Sequence, residues 1–270
     1  MSWLNIFFGK TKNKRKYSKV FNPKFLKLNV QKDIEDKRDW HILSGTAQLI
    51  DSPPFAVSLK PYCTDIKNQG RTGACVSFAL TGAFELLRKM HWDEEIDTSE
   101  LFTYYNSRLL QGWEGRDSGS YGRDAIKSAV SDGIALEAQW PFQAEKVLVK
   151  PPILAYFGAR LLRLRVNAYY RCNNIADIKQ ALFNGMPVIF GMVIKKNFYD
   201  YEGGIYSVAE GKEMGGHYMC CIGYNDEKQA FEIRNSWGTG FGAYGYAWIK
   251  YDVLIDSLID AWALNAKRVL

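Results

Sequence analysis

Residues 68–79 constrain this chain more than any other stretch. Asn68-Gln69-Gly70-Arg71-Thr72-Gly73-Ala74 is a glycine-punctuated turn that opens directly into Cys75-Val76-Ser77-Phe78-Ala79. From Cys75 onward the apolar residues Phe78, Ala79, Ala83, Leu86, Leu87 and Met90 recur at helical spacing, which predicts a helix over 75–90 with the cysteine at its first turn. A thiol there lies among free N–H groups at the positive end of the helix dipole, and both favour thiolate. The Gln69 carboxamide and the Cys75 main-chain N–H are two donors that could hold an oxyanion on a carbonyl attacked by sulfur. A lone cysteine is more often a small buried hydrophobe than a nucleophile, so its partners decide.

Two further tracts supply them. Met214-Gly215-Gly216-His217-Tyr218-Met219-Cys220-Cys221-Ile222 places a histidine at the mouth of an apolar, strand-like run. Phe231-Glu232-Ile233-Arg234-Asn235-Ser236-Trp237-Gly238-Thr239-Gly240 follows it. His217 comes 142 residues after Cys75 and Asn235 a further 18, and with only three histidines in the chain few accidental arrangements exist.

On these residues the chain resembles the papain family of cysteine peptidases, whose members space the three groups by roughly 130–150 residues. Gln69-Gly70, Gly73 and Cys75 match its nucleophile motif, and the tract from Asn235 to Gly240 is close to its most specific string. The likeness runs over about residues 60–264. It implies an α+β fold with a helical first lobe (about 60–160), a strand-rich, barrel-like second lobe (about 161–270) and a cleft between them. It implies hydrolysis of a protein or peptide substrate by a Cys75 thiolate paired with a His217 imidazolium, with Asn235 orienting the ring and Gln69 in the oxyanion hole. Trp237 would shield the His217–Asn235 hydrogen bond. Gly119 and Ser120 would receive the substrate backbone, and Gly122, Gly216 and Tyr218 would line the pocket for its second side chain, which Tyr218 would narrow. Secreted relatives carry a disulfide where this chain has Thr72 and Asp117, so a Thr72–Asp117 hydrogen bond is expected to brace the two loops instead. No cofactor is implied. Two other readings use the same residues: an acyl transferase on the same fold, and an assembly protein that docks through its N-terminal arm with residual or no catalysis.

Elsewhere the pattern predicts helices from Thr98 or Ser99, over 123–131 and over 175–184, and strands over 186–193, 217–224, 230–235 and 245–249. No CxxC, paired-histidine spacing or glycine-rich phosphate loop is present, so no metal or nucleotide site is expected. No apolar run approaches 18 residues, so no transmembrane segment is expected. The five cysteines show no disulfide framework, and two are adjacent in one predicted strand; a cytoplasmic or virion-associated setting fits such usage.

Charge is uneven. Residues 1–30 hold eight basic side chains and no acidic one, whereas the rest of the chain is near neutral. Residues 1–54 thus read as a basic arm ahead of a peptidase body at 55–270. Trp3, Leu4, Ile6, Phe7 and Phe8 precede the lysines, the reverse of a secretory signal, so no signal peptide is expected. The arm is expected to meet an anionic partner (protein, lipid or nucleic acid) and to leave catalysis on small peptides untouched. An inhibitory propeptide in the cleft is the competing reading, although no long amphipathic helix is visible there.

Overall fold

The computed structural model describes residues 26–30, 32–34, 36–42, 53–162 and 164–266; the expectations for residues 1–25 lie outside these. Helix α1 (Cys75–Trp92) is buried from Cys75 to Leu87, so its apolar residues face neighbours on every side. Asp93 ends it in the left-handed conformation, its N–H closing on the Lys89 carbonyl. Helix α2 (Glu100–Leu109) starts where expected, with the Ser99 hydroxyl accepting from the Phe102 N–H. Helix α3 (Gly122–Ser131) packs on α2, and α4 (Ile153–Leu161), which the periodicity did not indicate, follows it.

The second half is a sheet of eight strands. β1 (Ala56–Ser58) pairs with β5 (Glu213–Asn225), and the remaining order is β2 (Ala168–Arg171), β8 (Leu258–Asn265), β3 (Val188–Lys195), β5, β6 (Ala230–Arg234), β7 (Tyr246–Lys250), β4 (Ile205–Tyr206). Helices α5 (Ile175–Phe183) and α6 (Tyr251–Asp256) complete the chain. The α+β class holds, but the barrel-like description does not: β2 and β4 end the sheet without pairing to each other, so it stays open. All pairings but β4–β7 are antiparallel, and the central strands β3, β5 and β6 are almost wholly buried. One apolar core joins α1 to the inner face of this sheet, and it is this contact that sets Cys75 beside β5.

Candidate active site

Cys75 is the first residue of α1 and has no solvent exposure. The backbone N–H groups of Tyr218 and Val76 favour its thiolate, which puts the sulfur near β5 one residue beyond His217. In β5 the register sets His217 opposite Met192 and Tyr218 opposite Gly191. Asn235 immediately follows β6, its N–H held by the Gly245 carbonyl. His217 Nε2 lies 2.8 Å from Asn235 Oδ1. That same oxygen accepts from the Ser236 N–H at 2.7 Å, so an acceptor faces the ring and Nε2 must carry the proton. His217 Nδ1 has no hydrogen-bond partner. Trp237 stacks on the imidazole, ring centroids 4.5 Å apart and 22° from parallel, and is buried beneath it.

Gln69 is buried beside this group. Its Nε2 donates one hydrogen to the Thr72 carbonyl at 3.0 Å, and its Oε1 accepts from the Ser236 hydroxyl at 2.8 Å. Ser236 therefore locks the carboxamide so that its second N–H remains to be used. Nothing in the residue pattern singled out Ser236, although its place directly after Asn235 makes it the natural bridge between the two tracts.

The papain family cysteine protease profile matches residues 56–261. The chain belongs to the papain family. An uncharacterized peptidase C1-like protein of Acanthamoeba polyphaga mimivirus is 32% identical over 214 residues, covering 73% of this chain and 68% of that one. Cysteine proteinase 1 of Entamoeba histolytica is 27% identical over 197 residues, and this chain spans 60% of its length. Among solved structures, xylellain, a cysteine protease from Xylella fastidiosa, superposes with a TM-score of 0.79 at 29% identity, over 89% of this chain and 96% of its own. This papain-family chain thus has viral and bacterial relatives among its likenesses.

One detail of the nucleophile turn departs from expectation. The Thr72–Asp117 hydrogen bond is replaced: Thr72 donates to the Gln69 carbonyl, and Asp117 accepts from the Gly73 N–H at 2.8 Å and from Tyr104 Oη at 2.7 Å. The loops are braced, but by a backbone donor. All five cysteines are free. The Tyr218 hydroxyl donates to Asp260 on β8, and its ring lies where side chains at Gly122 and Gly191 would otherwise stand.

The largest departure concerns residues 26–30, 32–34 and 36–42, read from sequence as part of a basic arm ahead of the body. They pack on it, against Gly119, Gly191 and Gly216. Asn29 bridges to Gly216 in parallel fashion, and the Val30 N–H reaches the Gly216 carbonyl at 3.4 Å. The Asn29 carbonyl presses on Gly119, which has φ +77° and no room for a Cβ, while Val30 fills the space over Gly191 and Gly216. Ser120, next in line, is buried and its hydroxyl has no partner. Lys27 Nζ pairs with Asp117 at 2.6 Å. Further along, Asp33 Oδ2 accepts from the Arg123 N–H and from Trp262 Nε1, both at 3.0 Å, and the Asp33 N–H donates to Asp260 at 3.1 Å. Arg123 also holds the Ile34 carbonyl at 2.6 Å and pairs with Asp39.

Burial sets the electrostatics of the pair. Burial pushes the Cys75 thiol up to about 11, against the pull of the Tyr218 and Val76 N–H groups. Burial pushes the His217 imidazole down to about 4, against the Asn235 hydrogen bond. Both shifts favour the neutral thiol and the neutral imidazole.

Proposed function

We propose that this papain-family protein is a latent cysteine peptidase. Residues 55–270 form the catalytic body, and residues 27–34 are a cover that must leave before substrate can enter. The observation that carries the reading is the His217 Nε2–Asn235 Oδ1 contact beside a cysteine at a helix N-terminus. When the cover leaves, water and substrate reach the site and the desolvation that keeps Cys75 and His217 neutral is relieved. The proton of the thiol passes to Nδ1, the nitrogen Asn235 leaves unused, giving thiolate and imidazolium. Sulfur attacks the peptide carbonyl, and the Gln69 amide and Cys75 N–H steady the oxyanion. Imidazolium gives its proton to the departing amine; water, activated by the same ring, then releases the acyl group and restores the thiol. Asn235 keeps the tautomer throughout, and Trp237 covers that hydrogen bond.

The cysteine-protease relatives support hydrolysis over the acyl-transferase reading, which uses the same residues, and the retained Cys75, His217, Asn235 and Gln69 support it over the assembly reading. A cover over a vestigial site would have nothing to restrain. The free thiols and the viral relative support a reducing, cytoplasmic or virion-associated setting. Val30→Asp, which would put a charge into the apolar space the cover fills, should raise cleavage of a small peptide at least tenfold. The same change combined with Cys75→Ala should give no cleavage. Unchanged activity in Val30→Asp would remove the latency, and cleavage by the double variant would remove the peptidase assignment.

A further inference from the structure

Helix α4 is packed the wrong way round for a soluble surface helix. Its small residues Ala155, Gly158 and Ala159 face inward, against Phe102 on α2 and Ala135. Apart from Tyr156, which packs on Phe102, its large ones face out: Ile153 is 78% exposed, Leu154 72%, Phe157 63% and Leu161 58%. At 100° per residue these four share one arc of about 100°. Leu148 and Val149, just before the helix, are also exposed. Six of the eighteen large apolar residues exposed among the described residues thus fall within fourteen positions. Single exposed apolar residues are ordinary, but a contiguous patch marks an interaction surface.

Charge identifies the occupant. Residues 146–176 carry six basic side chains and no acidic one. Lys150 and Arg165 are exposed, and Arg160, also exposed, projects from the edge of the apolar arc. Its guanidinium lies 4.0 Å from Asp132. Self-association across a two-fold axis would set this patch against itself, cation against cation, and so is disfavoured. Large aliphatic and aromatic side chains rimmed by cations match the boundary of an anionic bilayer, where the apolar groups enter the acyl region and the cations meet phosphate. We propose that α4, with residues 148–150, is an interfacial membrane-docking face that seats the peptidase on anionic lipid. This site is independent of the catalytic one and of the basic residues 1–25.

The full chain should co-sediment with phosphatidylcholine vesicles containing about 30% phosphatidylserine, bind pure phosphatidylcholine at least tenfold more weakly, and lose binding as salt rises. Ile153→Ser, Leu154→Ser, Phe157→Ser and Leu161→Ser together should weaken binding to the anionic vesicles at least tenfold. All four side chains are exposed, so circular dichroism and reaction of Cys75 with a thiol-directed epoxide should not change. Arg160→Gln with Arg165→Gln, a milder pair, should weaken binding severalfold and flatten its salt dependence. Undiminished binding by the fourfold serine variant would place the anchor elsewhere and overturn the proposal. So would absence of binding to anionic vesicles, or a dimer in sedimentation that the serine variant abolishes, which would make the face a self-interface.

Discussion

Gln69 illustrates how a single side chain is made ready for its role. Its oxygen is taken by Ser236 and one N–H by the Thr72 carbonyl, so the amide cannot rotate and the other N–H is fixed in direction. Donors held in this way stabilise charge without reorganising, and losing one typically costs about 10²–10³ in kcat. Gln69→Ala in the uncovered Val30→Asp background should fall by that amount with KM little changed. Ser236→Ala, which frees the amide without removing it, should cost less, about tenfold. Steady-state kinetics on a small peptide reads both, and equal losses would mean that Ser236 does more than hold Gln69. The four principal residues were legible because each sits in a tract whose chemistry shows locally: a turn opening a helix, a strand mouth, a polar residue ending a strand. Ser236 and Asp260 were not, since their roles arise only when strands distant in sequence are paired.

At the scale of elements, an ion cluster ties the nucleophile turn to its supports. Lys67 Nζ lies 2.5 Å from Glu85 on α1, 2.6 Å from Glu100 on α2 and 2.9 Å from Asp97. Burial alone would raise the Glu85 carboxyl, but Lys67 and Arg234 more than offset it and hold it at about 2. Lys67→Met would strand two wholly buried carboxylates, and removing one partner of a buried pair costs about 3–5 kcal/mol. A lowered melting temperature and urea midpoint should follow, and an unchanged midpoint would mean the cluster contributes nothing net. The helices and inner strands followed the apolar pattern closely. α4 escaped because its large apolar residues face solvent, so the usual inside-outside contrast is inverted. β8 escaped because Leu258 to Asn265 has no alternation; pairing between β2 and β3 makes it a strand.

For the whole molecule, Asp33, where the proposed cover meets the body, sets a pH dependence. Burial and then the Asp260 carboxylate push the seated Asp33 up to about 7. It is also faced by the Arg123 N–H and side chain from α3, Trp262 Nε1 from β8 and, through Asp260, the Tyr218 hydroxyl from β5; Asp124 is the other acidic neighbour. A released Asp33 would titrate near 4. Seating therefore takes up a proton, so the stabilisation is complete below about pH 4 and is lost as pH rises through 7. The cover should hold in acid and loosen at neutral pH. Asp33→Asn mimics the protonated form and should stay closed throughout. The ratio of wild-type to Asp33→Asn labelling rates at Cys75, which cancels the ionisation of the thiol itself, should climb between pH 5 and 7.5. A flat ratio would contradict the latch.

The proposed cover is not legible in the sequence because the lysines of residues 1–30 dominate the composition there, while Asn29, Val30 and Asp33 are unremarkable until the body receives them. The most direct test of a covered thiol peptidase is therefore the site and rate of reaction with a thiol-directed epoxide, followed by mass spectrometry at neutral pH. One adduct per chain, on Cys75, forming slowly in the wild type and at least tenfold faster in Val30→Asp, is the expected result. Equal rates in the two proteins, or an adduct on the partly exposed Cys63 in place of Cys75, would contradict it.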